Sequence, residues 1–172
     1  ANLLKPFVDF FYLDVLSSIR EIEIALNVVE KINLPVLIGI HVKKNGKLPS
    51  GESITKMAKE CKGKNWLGLI MACVSPEIIK DPVDEVKNLE IPFGFKANLW
   101  KKEPLPVHKV VEINDDGFGE NPVDVLGSRT DITDENFYNF SKKIIQSGAT
   151  ILGGCCETKP SHISAISRLK QN

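Results

Sequence analysis

The stretch WLGLIMACVSPE, residues 66–77, decides the architecture. Residues 66–74 carry no charge and do not alternate apolar with polar, which is the pattern of a strand covered on both faces. Ser75-Pro76-Glu77 then opens a helix, with a cap residue, proline at the first helical position and an acidic first turn. A doubly covered strand that runs straight into a helix is one unit of a parallel sheet. The unit repeats in both directions. Upstream, PVLIGIHV (35–42) reads as a strand, followed by a polar, glycine-containing loop and a helix over 54–61. Before that, a strand over 9–15 (DFFYLDV) leads into a helix whose Ile19, Ile22, Ile24, Ala25, Val28, Val29 and Ile32 recur at helical spacing, capped by Ser17 or Ser18. Downstream come a strand over 92–99 and a stretch over 100–133 rich in Pro, Gly and Asp, longer than a plain connector and so read as functional or mobile. A helix over 134–146 stopped by Gly148, a strand over 149–152 and a last helix from Pro160 complete the chain.

Five strand–helix units imply an α/β fold with helices outside the sheet. An open doubly wound sheet and a (β/α) barrel both satisfy the pattern. No G-x-G-x-x-G follows the first strand and no P-loop lysine motif occurs, so nucleotide-binding versions lose weight. A complete (β/α)8 barrel takes about 250 residues. Five units in 172 residues would be an incomplete barrel with two raw edges.

Composition narrows the function classes. Hydrophobic residues are 42% and charged residues 26%, ordinary for a globular chain with its own core. Lys+Arg 22 against Asp+Glu 22 gives zero formal charge, hence no electrostatic footprint for nucleic acid or an anionic membrane. The longest apolar stretch, 66–74, is far short of the about 20 residues that span a bilayer, and the N-terminal sequence lacks a secretory signal pattern. The expected compartment is the cytoplasm, where the four cysteines are not structural disulfides.

Three of those cysteines stand at strand C-terminal ends, where α/β folds carry their chemistry: Cys73 closes LGLIMACV, and Cys155-Cys156 follow ATILGG. Adjacent strand residues point to opposite faces, so Cys155 and Cys156 can share a ligand only if the backbone leaves strand geometry; Gly153 and Gly154 are read as allowing that. A lone strand-end cysteine packs as a small hydrophobe, but packing does not require a vicinal pair behind two glycines. Three thiolates on one ion are a zinc arrangement with an open fourth position, and a thiol entering it loses its proton without a side-chain base. Cys61, inside a helix, is read as structural. His41 and His108 have no metal-ligand spacing, and Lys43, Lys44, Lys101 and Lys102 read as solvated loop charge. Phe10, Phe11 and Tyr12 read as core, with Tyr12 near enough to the strand end to face the mouth.

GGCCETKPSHI (153–163) resembles the GGCC-x-T-x-P-x-H-I signature of the homocysteine S-methyltransferases, which include betaine-, S-methylmethionine- and folate-dependent enzymes. Their earlier zinc cysteine lies in a segment like G-V-N-C-x-x-P-E; here MACVSPEII places Cys73 on it. SGES (50–53) and Asn98 in PFGFKANL also match family segments. The resemblance implies a parallel (β/α)8 TIM barrel, of which residues 1–172 supply the units of strands four to eight as one domain. It implies Zn2+ held by Cys73, Cys155 and Cys156, with Asp14 and Asn98 at the substrate. The implied reaction is zinc-dependent transfer of a methyl group from a small donor to the thiol of homocysteine, forming methionine. His162 falls on the family histidine and is read as a structural neighbour, because three thiolates and a substrate already complete a tetrahedron. The chain also departs from the family: the glycine-rich acidic segment after the first barrel strand has no counterpart, Asp14 stands for a glutamate, and Ala72 for an asparagine. These departures support a second expectation, a truncated or divergent zinc/thiol-binding partial barrel without methyltransferase activity on its own, whose N-terminal barrel half is missing.

Overall fold

The five apolar runs form five parallel strands, β1 (Phe11–Leu16), β2 (Val36–Ile40), β3 (Trp66–Val74), β4 (Phe93–Ala97) and β5 (Ile151–Gly154), hydrogen-bonded in the order β1-β2-β3-β4-β5. The computed structural model describes residues 1–102 and 122–170; most of the long stretch before Thr133, with His108 in it, lies outside the described residues. Between the strands run α1 (Ile19–Glu30), α2 (Ile54–Glu60), α3 (Pro76–Ile79), α4 (Val83–Lys87), α5 (Pro122–Leu126) and α6 (Asp134–Gln146), and α7 (Pro160–Ser167) follows β5. Each crossover moves one strand in the same direction. A doubly wound sheet reverses at a switch point; this one does not, so its winding is that of a barrel. Among the described residues no helix is long and apolar enough to cross a membrane.

Alternation along the strands assigns the faces. Ile38, Ile40, Leu69, Met71, Phe93 and Phe95 turn outward into one core with Ile22, Leu26 and Val29 of α1, Met57 of α2, and Phe137, Phe140 and Ile144 of α6. Phe95 meets Phe140 edge-on with ring centroids 4.9 Å apart. The helices start where capping chemistry puts them: Ser18, Ser53 and Thr133 accept from Glu21 N, Lys56 N and Asn136 N. Ser18, not Ser17, caps α1, and Glu21 returns a bond to the Ser17 amide.

The inner face is lined by the alternate positions Tyr12, Leu37, Gly39, Ile70, Ala72, Gly94, Lys96, Ile151 and Gly153, aligned by the strand registers. Four of these nine are glycine or alanine, and at Gly39 the reason is spatial. The Tyr12 ring lies over Gly39, where a Cβ would sit 2.5 Å from the tyrosine hydroxyl. Gly39→Ala is therefore expected to cost about 1–3 kcal/mol by overpacking. Tyr12→Ala in the same chain should remove most of that cost, so urea midpoints of the two single variants should fail to add.

Two expectations are corrected here. Ile24 and Val28 recur at helical spacing but are exposed, because only the Ile19, Ile22, Leu26 and Val29 stripe of α1 reaches the sheet. Phe10, read as core, is exposed too, since it precedes β1 instead of belonging to it. Leu3, Leu4 and Phe7, in the segment before β1, are exposed as well.

Candidate metal centre

β3 ends in a bulge. Its pairing with β4 shifts between Ala72 and Val74, and Cys73 between them takes a left-handed backbone with φ 55. Regular alternation would aim Cys73 with Met71 into the helices; the bulge re-aims its sulfur to the strand end. A positive φ at a non-glycine residue is strained and persists only when neighbours hold it. Asn98, 1% exposed, does so. Its side-chain amide donates to the Cys73 carbonyl at 2.6 Å, and its Oδ1 accepts from the Trp100 amide at 3.3 Å. Asn98, expected at the substrate, thus sits directly beneath a sulfur, with its nitrogen 3.8 Å from Cys73 Sγ.

The vicinal pair is reached differently from the sequence expectation. Gly153 and Gly154 remain inside β5, and neither has positive φ. The chain leaves the strand only after them, in a turn whose left-handed residue is Glu157, φ 62. In that turn Thr158 donates through its hydroxyl to the Cys155 carbonyl at 2.6 Å and packs against Gly154, where any Cβ would collide with the threonine. Gly154 is needed for close approach, not for conformational freedom. Backbone bonds from Cys155 to Ala97 O (2.7 Å) and from Leu99 to Cys156 O (3.0 Å) fasten the pair to β4.

These two devices bring Cys73, Cys155 and Cys156 together, all three sulfurs within 4.8 Å of one another. Cys73 to Cys156 is 3.9 Å and Cys155 to Cys156 is 3.8 Å. A tetrahedral zinc with Zn–S of about 2.3 Å requires sulfur pairs about 3.8 Å apart. The donor set therefore fits zinc in number, chemistry and spacing. Its electrostatics favour one thiolate among the three. Cys155 is pulled down to about 6, first by a hydrogen bond from Cys73, which outweighs burial, and further by the Cys156 amide and the Lys96 charge. Cys73 is pushed up by its bond to Cys155 and by burial, and Cys156 by burial and the Cys155 charge. One thiolate is stabilised at neutral pH, and the two thiols beside it hold their protons more tightly, to be released on binding a cation.

Lys96 is the residue that the sequence reading passed over. It stands in β4 on the inner face and its ammonium pairs with Asp14 of β1, three strands away, lying 5.3 Å from the centre of the Tyr12 ring. Burial lowers its pKa, but the bond to Asp14 and the Cys155 and Cys73 charges raise it on balance. The signal was a single lysine in an apolar strand, FGFKA. Asp14, expected at the substrate, is thus engaged across the mouth. Tyr12 does face this side; burial and Asp14 push its pKa up and keep the hydroxyl protonated.

The remaining candidates lie around the centre. His162 is buried: its Nδ1 accepts from the Lys159 amide at 2.9 Å and its Nε2 meets Ile132 O at 3.1 Å, which closes the start of α7. Cys61 is buried against Met57 Sδ at 3.6 Å, on α2's far side of the sheet, and burial pushes it to about 11. Lys43 and Lys102, read as solvated loop charge, are exposed and donate to the carbonyls of Pro49 and Val125. Arg129 clamps Glu77, at the start of α3 just past Cys73, with two bonds of 2.9 and 2.8 Å, and binds Asp131 as well. The chain after β4 is thereby tied to the chain after β3.

Asn98→Ala removes the support of the bulge. The orphaned carbonyl should cost about 1–3 kcal/mol in denaturant, and zinc affinity should fall about 10- to 100-fold, as for other lost partners of metal ligands. Competition with a chromophoric chelator measures the second effect; unchanged affinity would show that Cys73 keeps its position unaided.

A sequence model described as homocysteine S-methyltransferase matches residues 1–169. "Homocysteine S-methyltransferase 1" of Arabidopsis thaliana is 30% identical over 142 residues, covering 81% of this chain and 38% of the relative. "Homocysteine S-methyltransferase 3" of the same plant is 22% identical over 170 residues, 97% of this chain and 45% of the relative. The chain thus spans less than half the length of these curated relatives. The crystal structure of the homocysteine methyltransferase MmuM from Escherichia coli, apo form, superposes with a TM-score of 0.70 at 15% identity, over 98% of this chain and 52% of that one. At that identity the likeness is one of fold. The family match over nearly the whole chain is the stronger result: the chain belongs to the homocysteine S-methyltransferase family.

Proposed function

We propose that this chain, as a single domain, supplies the metal-bearing part of a zinc-dependent methyltransferase that methylates the thiol of homocysteine to give methionine. The observation that supports it most is the meeting of three sulfurs from two strand ends at zinc spacing. Cys73, Cys155 and Cys156 would hold the ion and leave one position for a thiol; when bound, zinc supplies ionisation of that thiol at neutral pH while keeping the sulfur nucleophilic. The protein's own groups do the rest. Asn98 and the Cys73 bulge orient one sulfur, the Thr158 turn orients the other two, and Lys96 balances the accumulated negative charge. The Asp14–Lys96 pair and Tyr12 wall the inner side, so that a donor approaching from the strand ends reacts in line, with orientation instead of acid–base chemistry supplying the rate. Free thiols of this kind suit a reducing, cytoplasmic compartment.

The five units would occupy the places of strands four to eight in an eight-stranded barrel. A second reading follows from the sides of β1 and β5 that are unpaired among the described residues: the chain by itself holds metal but transfers methyl groups only when upstream units complete the mouth. The test is methionine formation from homocysteine with a sulfonium, an ammonium and a folate donor, run on the chain alone and on a fusion to the three upstream units of a relative. Activity in either supports the proposal and distinguishes the two readings. Zinc-loaded, folded fusion protein that methylates homocysteine with none of the three would overturn it.

A further inference from the structure

β4 carries one charge in an apolar strand, and its surroundings are built to let that charge reach the mouth. Ala72 and Gly153 flank Lys96 in register, and a Cβ on Gly153 would lie 3.7 Å from Lys96 Cγ, so small neighbours leave a lane for the lysine stem. The ammonium crosses the inner face to Asp14 and rests over the Tyr12 ring. An ammonium has three donors. Among the described residues Asp14 accepts one, and no other acceptor is within hydrogen-bond reach of Lys96 Nζ. The side chains of the pair are 21% and 41% exposed, so the unspent donors can be reached from solvent. They belong to the same end of the sheet as the sulfurs, since Lys96 pairs in register with Ala72, next to Cys73, and with Gly153, two residues before Cys155.

We infer, resting on the reading of the metal centre as a thiol site, that Lys96 anchors the carboxylate of the thiol substrate. A thiol on the open metal position and a carboxylate a few bonds away on Lys96 would make a two-point attachment, with Asp14 holding the flexible lysine aimed at the mouth until the ligand arrives. Lysine is a compact point charge on a mobile stem, which suits handing an ammonium from a resting carboxylate to an incoming one. Asp14 then competes with the ligand for Lys96, so the two residues have opposite effects on carboxylate binding. A merely structural ion pair would give effects of the same sign.

The experiment uses the 172-residue chain loaded with cobalt(II), whose thiolate charge-transfer bands report a new sulfur ligand directly. Two probes of equal length, 4-mercaptobutyrate and 4-mercaptobutan-1-ol, differ only in the carboxylate. The chain is expected to bind the acid about 10-fold more tightly, the size of a charge-assisted hydrogen bond. Lys96→Met should bring that ratio to about 1, the alcohol serving in each variant as the reference that absorbs any change in metal or thiol affinity; Asp14→Asn should raise the ratio above that of the unaltered chain. Cobalt stoichiometry and circular dichroism confirm that each variant is folded and loaded. A ratio that survives Lys96→Met, or variants that shift it in the same direction, would overturn the assignment and leave the metal-centre reading intact. If neither thiol perturbs the cobalt spectrum, the thiol-site reading itself fails and the anchor with it.

Discussion

Cys73→Ser is expected to abolish stoichiometric zinc. The unaltered chain, purified with zinc, should retain about one ion, since three thiolates at tetrahedral spacing form a strong site. Serine keeps the bulge and its volume but offers a hydroxyl that does not ionise at neutral pH. Loss of an outer hydrogen-bonding partner already costs about 10- to 100-fold in metal affinity, so loss of a ligand should cost more than about 100-fold. Cys156→Ser should match it, because Cys156 lies within 3.9 Å of both other sulfurs. Cys61→Ser is the control: it is buried beside Met57 on α2 and should leave zinc unchanged. Elemental analysis after gel filtration decides, and full zinc in both Cys73→Ser and Cys156→Ser would refute the site. Loss of zinc with Cys61→Ser would mean that the metal sits elsewhere.

The second large effect concerns association. Among the described residues β1 and β5 each pair on one side only, and such edges present rows of unpaired N–H and C=O groups. Leu3, Leu4, Phe7 and Phe10, in the segment before β1, and Ile24 and Val28 of α1 are each exposed. Covering each large apolar side chain is worth about 1.5–3 kcal/mol, so burying several of these side chains on association would favour contact. The chain alone is expected to show a light-scattering mass that rises with concentration. Phe7→Glu combined with Ile24→Glu should lower that mass without loss of zinc, and fusion to three upstream barrel units should bring it to that of a monomer. A concentration-independent monomer would show that these edges are already protected.

Much of the architecture was legible in the chain because doubly covered strands leave an unbroken apolar run and helix starts leave a chemical mark. The 66–77 stretch shows both, and its strand and the proline-led start of α3 fall where the residues put them. Strand order was not legible: doubly wound and barrel sheets bury the same runs, and only the pairing of β1 through β5 in sequence order separates them. The three cysteines could be picked from their positions and from the resemblance of residues 153–163, but not the devices that make them converge. The glycine explanation was misplaced, because a bulge at Cys73 held by Asn98 and a Thr158 turn closing over Gly154 depend on contacts between distant segments. Lys96 escaped for the same reason. A lysine in a strand carries no sign of its partner, and its pairing with Asp14 exists only because the sheet curves and brings β4 to face β1 across the mouth. Local chemistry determined by itself which elements form and which sulfurs are candidates; tertiary structure decided where the side chains point, because that depends on curvature and register, which no short stretch of sequence contains.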